Sequence, residues 1–255
     1  MMNTLMSMNN IIKIDKLNKN YYSKDGIVEA IGDISLDVYE GEYLSIVGPS
    51  GCGKSTLLNI IGGIDTKSGG NIKLSDGVKI GYMLQNDCLF SWLNILDNCL
   101  LGLKIEGNLN EDNIKYVKEL LETYGLKDFM YKYPNSLSGG MRQRVALIRT
   151  LAVKPDILLL DEPFSALDYQ TRLSVSDDVY KIIKDSSKTV IMITHDLAEA
   201  ISMSSRVVVL TNRPAKVKKI YEINLENKGS PIENRKSREF PIYYDMIWKE
   251  IDHYV

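Results

Sequence analysis

Residues 42–63, EYLSIVGPSGCGKSTLLNIIGG, pass without interruption from an apolar β-type run through a glycine-rich turn into a helical run. Inside the stretch, Gly48, Gly53, Lys54 and Ser55 satisfy the spacing G-x-x-x-x-G-K-[ST]. That order of strand, loop and helix suits a phosphate cradle: side-chain-free backbone N–H groups wrap an anion while the helix offers its positive N-terminal end. It also restricts the fold, because a strand that feeds a helix through a tight loop belongs to an α/β sheet.

The cradle reading assigns the backbone amides of residues 50–55 (Ser50, Gly51, Cys52, Gly53, Lys54 and Ser55) to the β-phosphate, with Thr56 next in line. Lys54 bridges the β- and γ-phosphates and the Ser55 hydroxyl binds Mg²⁺. Such a loop needs an acid at the tip of a neighbouring strand, and "ILLLDEP" supplies one. There Asp161 serves the metal, and Glu162, one residue on, accepts a proton from an attacking water.

A second anion-type helix start lies in "LSGGMRQ", residues 137–143, which opens onto "MRQRVALIRTLAV". Small residues at a helix N-terminus leave backbone amides unobstructed. The chain thus offers two phosphate-binding helix starts and one Lys-bearing loop. A consistent solution is a dimer in which the second start of one chain closes over the γ-phosphate held by the other.

Composition excludes several other classes. The 255 residues are 44% hydrophobic and 25% charged, as expected of a globular protein able to bury a core. A net charge of −2 supplies no basic field, so nucleic acid is not an expected partner. Cys52, Cys88, Cys99, His195 and His253 show no zinc-type spacing, and free thiols suit a reducing cytoplasm. "MMNTLMSMNN" lacks the basic and apolar parts of a signal peptide, and no apolar run reaches the roughly 18 residues of a membrane span.

Periodicity fills in the rest. "IIKIDKL" and "ISLDVYEG" read as strands, with turns at Asp25-Gly26 and Glu40-Gly41. From about residue 86 to 150 the chain turns helical. In "NEDNIKYVKELLETYG", Ile114, Val117, Leu120, Leu121 and Tyr124 share a face, Asn110 stands at the N-cap and Gly125 ends the helix. "DILLLD" and "KTVIMITHD" read as buried parallel strands that place Asp161, Glu162, His195 and Asp196 at the carboxyl edge of the sheet. The run from Arg206 reads as a hairpin and "IYYDMIWKEIDHYV" as a terminal amphipathic helix.

Together these motifs resemble the ATP-binding subunits of ABC transporters over roughly residues 11–225. "GPSGCGKST" looks like Walker A, "ILLLDEP" like Walker B and "LSGGMRQ" like the signature motif, carrying Ser138, Gly139, Gly140 and Gln143. The resemblance implies a P-loop α/β core with a mainly parallel sheet, an antiparallel β subdomain and a helical signature subdomain, all in one ATPase domain. It implies ATP and Mg²⁺ as cofactors. By the same likeness Gln85 is the Q-loop glutamine reaching metal or water, Asp168 in "SALD" lies at the dimer seam, and His195 is the switch histidine. An adenine-stacking aromatic is expected upstream of Walker A, at Tyr21 or alternatively Tyr22. "RVALIRTLAV" departs from the family's common pattern at Leu147, Ile148 and Thr150, beyond the phosphate-contacting residues.

"LFSWLNILDNCLLGL", "DEPFSALDYQTR" and "LTNRPAKV" look most like the importers for nitrate, sulfonates, taurine and thiamine-pyrimidine precursors. That likeness implies integral membrane permease subunits and an extracytoplasmic substrate-binding protein as partners. The chain is then a homodimer held peripherally on the cytoplasmic face. Trp92 lies where the family receives coupling helices and is either an interface residue or packed in the helical part. The alternative is a soluble ABC-type ATPase of translation or DNA repair. Such proteins usually carry two cassettes or a coiled-coil insertion, whereas this chain has one cassette and no sustained heptads.

Overall fold

The structure, a computed structural model, describes residues 9–24, 26–165, 167–186, 188–226 and 228–252. Asp25 of the first expected turn, Ala166 of "SALD", His253 and the first eight residues lie outside the described residues. Two sheets and a helical layer form the molecule.

The first sheet is antiparallel. Strand β1 (Asn10–Ser23) pairs on one side with β2 (Gly26–Tyr39) and, once the chain returns, with β4 (Gly69–Leu74) on the other. Between them in sequence come β3 (Tyr43–Val47) and helix α1 (Lys54–Ile61). The second sheet has the order β5-β6-β7-β3-β8-β9, built with β5 (Ile80–Met83), β6 (Ile157–Asp161), β7 (Thr189–Ile193), β8 (Arg206–Leu210) and β9 (Val217–Glu222). Five of its strands run parallel, and β9 closes the edge as the antiparallel arm of the expected hairpin.

The parallel strands are apolar throughout because both their faces are covered. Side chains alternate across the sheet. Ile157, Leu159, Ile191, Ile193 and Val208 point toward α1 and the antiparallel sheet, and all are fully buried. Leu158, Leu160, Val190 and Met192 point the other way, against α5 (Tyr169–Ser186). Val47, Val207 and Val209 pack under α6 (Leu197–Met203) and Ile247 of the terminal helix α8 (Phe240–Asp252); the short α7 (Pro231–Asn234) precedes that helix.

Helices α2 (Ile95–Ile105), α3 (Glu111–Thr123) and α4 (Gly139–Ala152) form the helical layer between β5 and β6. α3 starts as its sequence requires: Asn110 caps it by accepting from Asn113 N, and Val117 and Leu121 are buried. α4 is buried on two sides. Ala146, Leu147 and Leu151 face the α5 side of the sheet, while Val145, Ile148 and Ala152 face α2 and α3. Leu147 and Ile148, the positions that depart from the common family pattern, are thus core residues, and Thr150 turns its hydroxyl onto Ala146 O.

The topology brings the carboxyl ends of β3, β6 and β7 side by side in the middle of the sheet. In open α/β folds, ligands bind in the crevice outside those ends.

Candidate functional site

β3 ends at Val47, and the turn that follows returns as α1 with Gly53 at its N-cap. Gly53 has φ 122°, and a Cβ there would stand 2.8 Å from Ala30 O, so only glycine fits. The first turn of α1 leaves its N–H groups without intrahelical acceptors, which makes it an anion site. The Lys54 ammonium folds over the turn and donates to Gly48 O at 2.8 Å and Pro49 O at 2.9 Å.

One member of the expected cradle behaves differently. Cys52 donates its N–H to Pro49 O at 3.3 Å, and its side chain is buried in the core beneath the loop, where burial pushes its thiol up. The turn is so tight that this amide closes the loop on itself.

Asp161, the last residue of β6, accepts a hydrogen bond from Ser55 Oγ at 3.2 Å. Burial pushes its carboxyl above the ordinary range, and the adjacent Glu162 adds to the push; Ser55 and Lys54 oppose it. Glu162 turns off the strand with φ 45° and is held by Glu162 N donating to Ile193 O at 2.9 Å. Its Oε2 accepts from Gln85 Nε2 at 3.2 Å and lies 3.2 Å from His195 Nδ1. Three strand ends, those of β5, β6 and β7, thereby deliver Gln85, Glu162 and His195 to one point.

These residues line one cleft of about 680 Å³, together with Ser50, Gly51, Gly53, Lys54, Ser55, Thr56, Tyr21, Val28, Ala30 and Arg213. Tyr21 is oriented by two partners that also pair with each other. Its hydroxyl donates to Asp65 Oδ2 at 2.6 Å, Lys19 Nζ lies 4.7 Å from the ring centroid, and Lys19 also pairs with Asp65 at 2.7 Å. The hydrogen bonds from Lys19 and Tyr21 hold the Asp65 carboxyl down at about 2. Tyr22, the alternative, is 74% exposed and does not line the cleft.

Arg213 is a cleft residue to which the sequence assigned no role, although it lies in the "LTNRPAKV" stretch of the importer likeness. It stands in the turn between β8 and β9 and grips Gly51 O through Nη2 at 2.6 Å and Nε at 3.2 Å. That stretch signalled an importer likeness but no contact with the phosphate loop, since a basic side chain in a hairpin turn is a common surface feature.

Ser138, Gly139, Gly140, Gln143 and Asp168 are not part of this cleft. Ser138 caps α4, accepting from Met141 N at 3.3 Å, and is exposed. Gly140 and Gln143 are buried; a Cβ on Gly140 would meet Thr171 Cγ2 at 2.9 Å, so its small size serves close packing on α5. The Thr171 hydroxyl, and then Thr171 N donating at 3.1 Å, lower the Asp168 carboxyl below the usual range. The segment after Gln85 is tied to α4: Arg142 pairs with Asp87 at 3.0 Å, and Arg149 donates to the carbonyls of Asp87 and Cys88. Trp92, beyond that segment, is 71% exposed, so it is not packed inside the helical layer.

A glycine-rich loop between a central parallel strand and a helix, with an acid pair on the adjacent strand end, defines a P-loop nucleoside triphosphatase. Comparison with known sequences narrows the class: the ABC transporter model matches residues 31–165. An uncharacterized ABC transporter ATP-binding protein of Bacillus subtilis, YtlC, is 43% identical over 94% of this chain and 95% of its own. The taurine import ATP-binding protein TauB of a Jannaschia species is 38% identical, covering 88% of each. The nitrate import ATP-binding protein NrtD of Synechocystis is 37% identical over 92% of this chain and 93% of its own.

Among solved structures, the dimeric bacterial ABC transporter cassette MJ0796 superposes with a TM-score of 0.73 at 34% identity, covering 84% of this chain and 99% of that one. A post-hydrolysis dimer of MJ0796 bound to ADP and Pi matches equally well at 32% identity, with the same coverage. The chain belongs to the ABC transporter family as an ATP-binding cassette, and is an ATP hydrolase.

Proposed function

We propose that two copies of this chain close head to tail over two MgATP and that closure and release drive uptake through a membrane permease. The observation that carries the chemical part is the convergence of Lys54, Ser55, Glu162, Gln85 and His195 on one cleft, with Asp161 bonded to Ser55 behind it. The oxygen donors fit a magnesium ion: Ser55 Oγ and Asp161 Oδ1 are 3.2 Å apart, and Mg²⁺ takes one or two carboxylates beside phosphate and water. Ser55, Asp161 and Gln85 would hold it, and when bound it would neutralise charge on the β- and γ-phosphates.

In this reading the amides of the loop and Lys54 bind the phosphates, Tyr21 stacks on adenine, and Glu162 takes the proton of the attacking water. His195 and Gln85 orient Glu162. Ser138, Gly139, Gly140 and Gln143 of one copy complete the site of the other, with Asp168 at the seam. The whole chain serves as one ATPase domain whose helical part, about residues 86–150, carries the signature.

The import names of the relatives support a role in uptake, with a substrate of the nitrate, sulfonate or taurine class; the thiamine-pyrimidine-precursor class rests on the sequence likeness alone. Among the described residues no helix is long and apolar enough to cross a membrane, so attachment to the cytoplasmic face would come through the permease. An extracytoplasmic binding protein would deliver the substrate. Purification of the tagged chain from detergent-solubilised membranes of its own cell tests this. A stoichiometric integral membrane partner is expected. Recovery with ribosomes or DNA instead would replace the transport reading with that of a soluble ATPase.

A further inference from the structure

A second cavity, of about 500 Å³, opens at the edge of the sheet opposite the phosphate loop. Gly41 and Tyr43 at the start of β3, Lys188 just before β7 and Ser205 just before β8 frame it. Tyr180, Ile183 and Met203 add apolar wall, and Lys184 and Lys228 complete the lining. The volume falls in the range of roughly 300–1,000 Å³ typical of small-molecule sites.

The charges are one-sided. Among the described residues three lysines line the cavity and no acid does. Among the described residues none of the three has a carboxylate within ion-pair distance. Of the neighbouring acids, Glu42 is engaged by Arg206 at 2.9 Å, and Glu199, whose charge reaches Tyr43, accepts from Thr194 Oγ1 at 2.6 Å. Lys228 donates to Ser204 O at 2.7 Å, while burial and then the charge of Lys184 push its ammonium below the ordinary range. Two like charges facing a half-enclosed space favour an anion between them. Tyr43 is 8% exposed and its hydroxyl turns inward onto the thioethers of Met192 at 3.3 Å and Met203 at 3.9 Å, so it serves the cavity as wall.

We propose that this cavity binds a small organic oxyanion, a carboxylate, sulfonate or phosphate ester carried on an apolar body. The oxyanion lies among Lys184, Lys188 and Lys228, and the body lies against Tyr43, Tyr180 and Met203. The site is separate from the nucleotide cleft and independent of what the transporter carries.

The test is calorimetric titration of the full chain at low salt with benzoate, benzenesulfonate and phenyl phosphate in turn, which also ranks the three headgroups. At least one is expected to saturate at one per chain, undisturbed by saturating ATP. Lys228→Gln and Lys184→Gln should each weaken it roughly tenfold, the loss of one charge-assisted contact. Lys184 is exposed on α5, so its variant keeps the test decisive if Lys228→Gln fails to fold. Lys249→Gln, on α8, should change nothing. Absence of saturable binding by all three probes, unchanged affinity in both cavity variants, displacement by ATP, or equal affinity for inorganic phosphate would each overturn the assignment.

Discussion

The Nδ1 of His195 stands 3.2 Å from Oε2 of Glu162, and Gln85 Nε2 donates to the same oxygen at the same distance. Glu162 is held there by its backbone as well. Its φ of 45° is a conformation that side-chain-bearing residues rarely adopt, and Ser165 ties it down by donating to Glu162 O from both N and Oγ. Glu162→Gln keeps the shape and both neighbours but removes the proton acceptor. Turnover should fall about 100-fold or more while ATP still binds, measured by steady-state hydrolysis beside nucleotide binding. Wild-type turnover would move the base elsewhere.

The signature helix gives a prediction of a different kind, because Ser138 is exposed and outside the cleft of its own chain. Ser138→Arg should abolish hydrolysis while each copy still binds ATP through the Lys54 loop. The lost N-cap costs α4 only about 1 kcal/mol, too little to unfold the chain. Hydrolysis at the wild-type rate would remove the closed dimer from the mechanism.

Arg213 acts on the loop directly, by holding Gly51 O. Arg213→Ala should raise the KM for ATP roughly tenfold and leave kcat within about twofold, since a charge-assisted contact to the loop and the phosphate entry is lost. Arg213→Lys should recover part of the affinity but not the two-pronged grip. A fall in kcat at constant KM would place Arg213 at the reacting phosphate instead.

The contrast between Arg213 and Lys54 shows what a sequence displays. Lys54 sits inside a local pattern whose strand, loop and helix are contiguous, so its place could be read from residues 42–63 alone. Asp161 and Glu162 were readable because β6 is a short apolar run with polar residues at its end. Arg213 reaches Gly51 across 162 positions, and nothing in a hairpin turn signals that contact. The central position of β3 between β7 and β8 was equally invisible, since apolar strands carry no label of their neighbours. The burial of Gly140 against Thr171 likewise depends on how α4 and α5 pack, which periodicity does not specify.

Trp92 packs against Phe90 with ring centroids 5.0 Å apart and planes tilted by 54°, and both rings are exposed. An exposed aromatic pair next to the segment held by Arg142 and Arg149 is suited to anchoring a partner. Trp92→Ala should leave the melting temperature within about 1 °C, as expected of a surface change, yet reduce recovery of the membrane partner about tenfold or more. Undiminished recovery would exclude Trp92 from the docking surface.

Glu199 provides a pH-dependent prediction. It is 3% exposed, and it accepts from Thr194 Oγ1 at 2.6 Å, next to His195. Burial, reinforced by Asp196, lifts its carboxyl from 4.5 to about 7, against the pull of Thr194 and Arg172. Because the folded state holds this proton more tightly than the unfolded chain, folding is favoured at low pH. The contribution is lost as pH rises from about 4.5 to about 7 and is flat above that. The shift corresponds to on the order of 3 kcal/mol at most. Glu199→Gln carries no such proton, so the melting temperature of the variant should gain on the wild type between pH 5 and pH 8, by roughly 5 °C in a chain of this size. A difference that stays constant across that range would mean that Glu199 does not titrate within it.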